Sequence, residues 1–329
     1  MVELGTQNGL FTLIAGELEQ VEARLRAPAA ESQSLLAVVV GHGLGSGGKR
    51  IRPALLLLAA RACGAIMNGR HVELAAATEM MHAATLIHDD IVDNAPTRRG
   101  LPSAMARWGS HVSVLVGDFL FSRAIQTLVA DADLRIMGAF SDATVAMTAA
   151  EVRQLQLLHD LSIGEAEYLE IVTGKTAALM SAACRAGALT AGVPDSWVEA
   201  LAAFGLNLGI AFQLVDDTLD YVALEERLGK PVCSDFREGK ITYPVIHILQ
   251  LASDIDRETL KRLAEQAILT DEQLLPLRRL VEQYDAVPAT MRLVDGYLAR
   301  ARAQLRLLPD SPACQALHRL SDFVRERDW

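Results

Sequence analysis

Two groups of aspartates share one spacing. Asp89, Asp90 and Asp93 lie in LIHDDIVDNAPTRRG, residues 86–100, and Asp216, Asp217 and Asp220 lie in FQLVDDTLDY, residues 212–221. On a helix, positions i and i+4 share one face about a turn apart, so Asp89 with Asp93 and Asp216 with Asp220 each present a carboxylate pair. Both groups end an apolar run near a helix C-terminus, where the macrodipole disfavours negative charge by about 0.3–1 kcal/mol per residue. A compensating cation is expected there. One such group reads equally well as a solvated helix end; two, able to face each other across a cavity, favour a shared site. Hard oxygen donors of this kind suit Mg2+, which takes a few carboxylates and completes its shell with water and the oxygens of a bound phosphate. EF-hand spacing is absent, which argues against a Ca2+ loop of that type.

Basic residues accompany both groups. GGKRIRP, residues 47–53, places Lys49, Arg50 and Arg52 in a glycine-rich loop entering a helix N-terminus, a location that favours anions. Arg98 and Arg99 follow the first aspartates, Lys175 and Thr176 lie in TGKT, and Lys230 and Lys240 follow the second group. TGKT is not a P-loop, because the GxxxxGK spacing fails and no strand precedes it. Any one of these lysines is most simply a surface charge. As a set beside two metal-type clusters, they point to a metal-bridged diphosphate.

Long helices must position these groups. The chain has 329 residues, 51% of them hydrophobic and 22% charged, and a net charge of -10. That composition excludes a disordered chain, and the acidic balance argues against a nucleic-acid binder, which needs a basic face. Apolar residues recur every three and four positions, which predicts an all-α protein with helices over about 10–27, 53–64, 71–93, 110–130, 134–158, 165–191, 196–224 and 241–251, and two or three more beyond. Pro53 opens a helix and Gly64 stops it, while SWVE from Ser196 and TDEQ from Thr270 read as capping boxes. With no linker, repeat or composition shift, a large single-domain helical bundle around a central cavity is expected over residues 1–329. Cys63, Cys184, Cys233 and Cys314 lie too far apart for a CxxC knuckle or a dense disulfide frame, and read as free thiols of a reducing cytoplasm. No basic-then-apolar leader is evident, and Arg61 and Arg185 interrupt two long apolar runs, so neither is expected to span a membrane.

Taken in order, GGKRIRP, LIHDDIVDNAPTRRG, VGDFLFSRA, KTAAL, FQLVDDTLDY and LGKPVCSDFREGKIT resemble the motifs of the trans-isoprenyl (polyprenyl) diphosphate synthases, the all-α enzymes that elongate allylic diphosphates with isopentenyl diphosphate. The likeness covers residues from about 45 to 250 and is most like the long-chain octaprenyl and decaprenyl enzymes. It implies that Asp89, Asp93, Asp216 and Asp220 bind Mg2+, about three ions with diphosphate present. It further implies that Arg98, Lys175, Thr176, Gln213, Lys230 and Lys240 contact the allylic diphosphate, and that Lys49, Arg52, His82 and Arg99 hold isopentenyl diphosphate. Asp89, Asp93, Arg98, Lys175, Asp216 and Lys230 would carry the catalysis. A lone histidine in an apolar helix is usually a core residue, but His82 lies seven residues before Asp89 on the same face, which favours binding. Cys233 stands where glycine is common in the family, and Phe236 and Tyr243 where leucine is. An Asn/Ser/Glu metal motif, which a terpene cyclase would carry, is absent from the second cluster.

In the family, an aromatic residue four or five positions before the first aspartate stops chain growth early. Here those positions are Ala84 and Thr85, with Met81 a turn earlier. Ordinary helix packing accounts for small residues equally well, but the resemblance makes a long all-trans product the expectation. That product has about eight to ten isoprene units, grown from farnesyl or geranylgeranyl diphosphate for quinone side chains. A short-chain farnesyl or geranylgeranyl diphosphate synthase and a noncatalytic regulatory subunit of the same fold are the alternatives. A cytoplasmic homodimer packed through residues near 110–158, with peripheral membrane contact for product release, is also implied.

Overall fold

The computed structural model describes residues 11–30, 34–45, 48–98, 100–222, 232–266 and 268–327, with the backbone alone at 28–30. Nearly all of them are helical, as the apolar spacing predicts. A short turn, Thr12–Ile14, leads into α1 (Ala15–Ala30), α2 (Leu35–Gly45), α3 (Ile51–Ala62) and α4 (Arg70–Val92). A hairpin of β1 (Thr97–Arg98) and β2 (Leu101–Pro102) pairs Thr97 with Pro102 and Arg98 with Leu101. There follow α5 (Ala104–Trp108), α6 (Ser110–Asp131), α7 (Leu134–Gln156), α8 (Glu165–Val172), a π-helical turn (Thr173–Ala177), α9 (Ala178–Leu189) and α10 (Asp195–Val222). The remainder comprises α11 (Ser234–Arg237), α12 (Tyr243–Leu251), α13 (Asp254–Ala264), α14 (Asp271–Gln283), α15 (Ala286–Leu305) and α16 (Pro312–Arg325).

Contacts gather these elements into two compact units, each drawn from three stretches. The first takes described residues of Met1–Asp142, Leu179–Gly205 and Gln304–Leu320; the second takes those of Ala143–Ala178, Leu206–Ala303 and Ser321–Trp329. In the first unit α4 packs against α1, α3 and α6. Leu55, Leu56, Leu57 and Leu58 of α3 are all wholly buried, so the middle of this helix is apolar all round, between Arg52 and Arg61, and each leucine contributes roughly 1.5–3 kcal/mol of transfer free energy. Gly187 lets α9 close on α3, because a Cβ there would stand 2.3 Å from the Leu56 carbonyl oxygen. The second unit has a core that includes Leu208, Leu214, Val245, Ile248 and Leu277, with α12 against α8 and α14.

The sequence reading needs four corrections. Helix α2 lies between the helices expected over 10–27 and 53–64, where none is predicted, and forms because Ala37, Val39, Val40 and Leu44 are buried. Gly43 lets α2 approach Ile87 closely, since a Cβ would meet the end of that side chain, Cδ1, at 2.9 Å and require it to shift. The helix expected over 165–191 is interrupted by the π-helical turn, and among the described residues four helices, not two or three, follow residue 251. Ser196 lies inside the first turn of α10, so SWVE is not its cap, whereas Thr270 forms the expected box with Gln273. All four cysteines are free and buried. Two helices, α6 and α10, are long and apolar enough to cross a membrane by length and composition alone; the apolar window of α10 is 67% buried within the fold and that of α6 33%. The exposed share of α6 includes Val114, Leu115, Ile125 and Val129.

Candidate active site

The first aspartate group ends α4 in a Schellman turn. Asn94 takes the left-handed conformation at φ 49°, its N–H donates to the Ile91 carbonyl, and the Ala95 N–H donates to the Asp90 carbonyl at 2.9 Å. This closure divides the three carboxylates. Asp89 and Asp93 stay half-exposed, a turn apart, while Asp90, about 100° further round the helix, is 3% exposed and accepts from Arg98 Nε at 2.6 Å. Burial pushes the Asp90 carboxyl up; Arg98 opposes the shift and Asp93 adds to it. The β1–β2 hairpin delivers Arg98 to that position, beside a small cavity of about 30 Å3, enough for a water molecule, lined by His42, Ala83, Ile87, Asp90 and Ser103 among others. Asp90 is therefore an anchor for Arg98, a role that the repeated spacing does not announce.

Further back on α4, His82 Nε2 lies 2.9 Å from Arg52 Nη1, so the structure brings these two predicted residues together, with half-buried Lys49 three positions before Arg52. Arg50 departs from the sequence reading of one basic loop. Its side chain is 5% exposed, and it forms ion pairs with Glu22 and Glu79. Burial pulls the Arg50 pKa down, but the two carboxylates more than offset this, and the guanidinium is held above its usual range. Arg99 lies outside the described residues.

In the second unit the π-helical turn carries Lys175 and Thr176. A π-turn widens a helix by one residue and is frequent at functional sites; here Gly174 seats it on α7, where a Cβ would stand 2.7 Å from the Ala146 carbonyl oxygen. Thr176 Oγ1 donates to Gln213 Oε1 at 2.7 Å, Gln213 Nε2 donates to Asp217 Oδ1 at 2.7 Å, and Tyr168 Oη donates to Asp217 Oδ2 at 2.5 Å. The chain of bonds fixes the Gln213 amide. Burial raises the Asp217 carboxyl to about 6 even though Tyr168 and Gln213 stabilise its ionised form. Lys175 Nζ donates to Glu151 at 2.7 Å and Gln154 at 2.9 Å.

The carboxylates of this second group also divide. Asp220 is wholly buried and accepts from Ser234 Oγ at 2.8 Å and the Asp235 N–H at 3.0 Å, so it holds the start of α11 in place of the solvent-facing ligation that the spacing suggests. Asp216 is the open one, its side chain 34% exposed, and it pairs with Arg327 at 2.7 Å. Cys233, which begins α11, has φ 57°, a conformation that favours glycine and accounts for the family preference there. Phe236 and Tyr243 are buried. Lys240 pairs with Glu238 at 2.8 Å, and Lys230 lies outside the described residues.

In the first unit Asp89 and Asp93, and in the second unit Asp216, are hard, partly exposed carboxylates, donors of the type that Mg2+ takes while keeping much of its shell in water and phosphate oxygens. Among the described residues, no three His, Cys, Asp or Glu side chains gather into a group that could hold a metal ion by themselves, so Mg2+ would depend on water and phosphate oxygens to complete its shell. Along α4, Met81 and Ala84 are buried and Thr85 is half-buried, its hydroxyl donating to the His82 carbonyl at 2.8 Å. Tyr168, Glu151 and Arg327 are site neighbours that the sequence reading missed; none belongs to a repeated spacing, and each is found only through its partner.

The Polyprenyl synthetase family model matches residues 33–278. The octaprenyl diphosphate synthase of Escherichia coli (strain K12) is 38% identical over 283 residues, which cover 86% of this chain and 87% of that protein. The short chain isoprenyl diphosphate synthase of Methanothermobacter thermautotrophicus is 37% identical over 292 residues, covering 87% and 89%. A crystal structure of polyprenyl synthase from Caulobacter crescentus CB15, complexed with calcium and isoprenyl diphosphate, matches with a TM-score of 0.91 and 39% identity over 97% of each chain.

Proposed function

The chain belongs to the polyprenyl synthetase family and is a trans-polyprenyl diphosphate synthase, a prenyltransferase, and from that premise we propose that it uses Mg2+ to condense farnesyl or geranylgeranyl diphosphate with successive molecules of isopentenyl diphosphate. The product is a long all-trans polyprenyl diphosphate of about eight to ten isoprene units, suited to quinone side chains. The observation that carries the reading is the division of the aspartates: Asp89, Asp93 and Asp216 stay open while Asp90, Asp217 and Asp220 are buried as anchors.

In each cycle the allylic C–O bond breaks and diphosphate leaves with the electron pair. The allylic carbon bonds to the terminal alkene carbon of isopentenyl diphosphate, and a proton is lost to restore an alkene. Mg2+, when held by Asp89, Asp93 and Asp216, supplies positive charge that stabilises the departing diphosphate. Arg98 is set by Asp90 to meet the allylic diphosphate, and Thr176 and Gln213 are set by Asp217. Lys175, held by Glu151 and Gln154, contacts the same diphosphate, and Lys230 and Lys240 share that role in this reading. Lys49, Arg52, His82 and Arg99 orient isopentenyl diphosphate, which places the alkene for attack before water intervenes. No nucleophilic side chain is required.

Relatives of nearly equal identity carry octaprenyl and short-chain names, so overall similarity does not choose the length. What supports a long product is the absence of an aromatic side chain at Ala84 and Thr85. Incubating the protein with farnesyl diphosphate, isopentenyl diphosphate and Mg2+, then sizing the product, tests this directly; a product of about three or four units would refute it. The exposed apolar residues of α6 support a homodimer through this helix, and four buried free thiols support a cytoplasmic setting. Peripheral membrane contact for release of so apolar a product completes the proposal.

A further inference from the structure

Arg50 and Arg52 are two residues apart in sequence and reach positions three apart on one helix. Arg50 Nη1 donates to Glu79 Oε1 at 2.7 Å, and Arg52 Nη1 lies 2.9 Å from His82 Nε2. Arg50 is held on every arm of its guanidinium: Nε donates to Glu22 Oε1 at 2.5 Å and Nη2 to the Leu44 carbonyl at 2.9 Å. One side chain thus ties α1, the last turn of α2 and α4 to the residue that opens α3. Its backbone is left-handed, φ 49° and ψ 36°, a conformation rarely adopted by residues other than Gly, Asn and Asp. Such strain persists where the surroundings over-determine it.

We infer that Arg50 is a positioning residue for isopentenyl diphosphate: its buried pairing with Glu22 and Glu79 fixes the turn from which Lys49 and Arg52 reach the diphosphate, with Arg52 kept in register with His82. The inference rests on the reading of Lys49, Arg52 and His82 as that substrate's site. Neither the fork nor the left-handed turn has a purpose in ordinary core packing, since an apolar residue in a right-handed first turn would bury the same volume without two carboxylates to match. When the anchor is lost, the strained turn relaxes and the two flanking cations lose their common orientation. Binding of one substrate suffers, and the chemical step at the aspartates does not.

The test is steady-state kinetics on the full chain, varying each substrate in turn, with thermal melting to identify folded variants. Arg50→Lys keeps a charge but not the three-armed fork. It is expected to raise KM for isopentenyl diphosphate about tenfold while kcat and KM for the allylic substrate change by less than about twofold. Glu79→Gln and Glu22→Gln, which leave Arg50 in place and remove one carboxylate charge each, give the same split and decide the matter if Arg50→Lys does not fold. A folded variant with an unchanged KM for isopentenyl diphosphate, or with both KM values raised alike, overturns the positioning role. Arg52→Ala, run in parallel, should raise the same KM directly. If it does not, the substrate-site assignment itself falls, and the role of Arg50 with it.

Discussion

Arg327 Nη2 lies 2.7 Å from Asp216 Oδ1, and the same guanidinium stacks on Phe212, 4.1 Å from the ring centroid. The most open carboxylate of the second group therefore already carries a cation, supplied from just beyond α16. The Arg302–Asp322 and Arg325–Asp295 pairs, both 2.6 Å, fasten that helix to α15. A divalent ion approaching Asp216 meets a buried like charge, whose repulsion is only partly screened. Arg327→Gln is expected to lower the Mg2+ concentration for half-maximal activity several-fold. A Mg2+ titration of activity checks this, and a higher requirement in the variant would show that the guanidinium orients Asp216 and does not compete for it.

Asp216 and Asp220 share a motif but should fail differently. Asp216→Ala, made in an Arg327→Gln background so that no buried guanidinium loses its carboxylate, removes a ligand, so activity is expected to drop by roughly 100-fold or more with little further change in melting temperature. Asp220→Ala strands the Ser234 hydroxyl and the Asp235 N–H in a dry site, a cost of about 1–3 kcal/mol for each unsatisfied group, and should lower the melting temperature clearly. Melting curves and initial rates measured on both variants separate the roles; equal loss of stability in the two would contradict the division.

His71 should make stability fall on the acid side. Burial lowers its pKa, Glu17 opposes this and Arg61 adds to it. Between the lowered folded value and the ordinary 6.5, the unfolded chain binds a proton that the folded chain does not, so stability is fully present above 6.5 and declines as pH falls through that interval. His71→Gln is expected to flatten this limb. Urea midpoints at about pH 5.5 and 7.5 measure it, and an unaltered difference between them in the variant would count against His71 as the source.

Ala84→Phe places an aromatic ring five positions before Asp89, about 140° round α4 from it. Because Ala84 is buried, the substitution overpacks the site at a cost of about 1–3 kcal/mol, so the variant should be less stable but folded. The expected outcome is a shorter product with the first condensation retained, read by chromatographic sizing. An unchanged length would mean that the growing chain does not run past this face.

The helices were legible because an apolar residue at every third or fourth position leaves few other folds available, and the paired aspartates were legible because their spacing repeats. Asp90, Asp217 and Asp220 were hidden by that same repetition: identical letters on a helix face different directions, and only the partners Arg98, Tyr168 and Ser234 distinguish ligand from anchor. Helix α2 was missed because glycine signals a turn locally, whereas Gly43 answers to Ile87, forty-four positions on. Arg50 was grouped with its neighbours for a similar reason, since charge is visible in sequence and burial is not.

The π-helical turn at Thr173–Ala177 is, in effect, a one-residue insertion in an otherwise regular helix. Deleting a single residue there would close the widened turn to an ordinary α-helical one and shift Lys175 and Thr176 from the positions that the turn gives them. Thr176 would leave Gln213. An alteration of length, with every side-chain type retained, would therefore disable the site as thoroughly as removal of a ligand, so gaps in this short stretch would separate working relatives from silent ones more sharply than substitutions do.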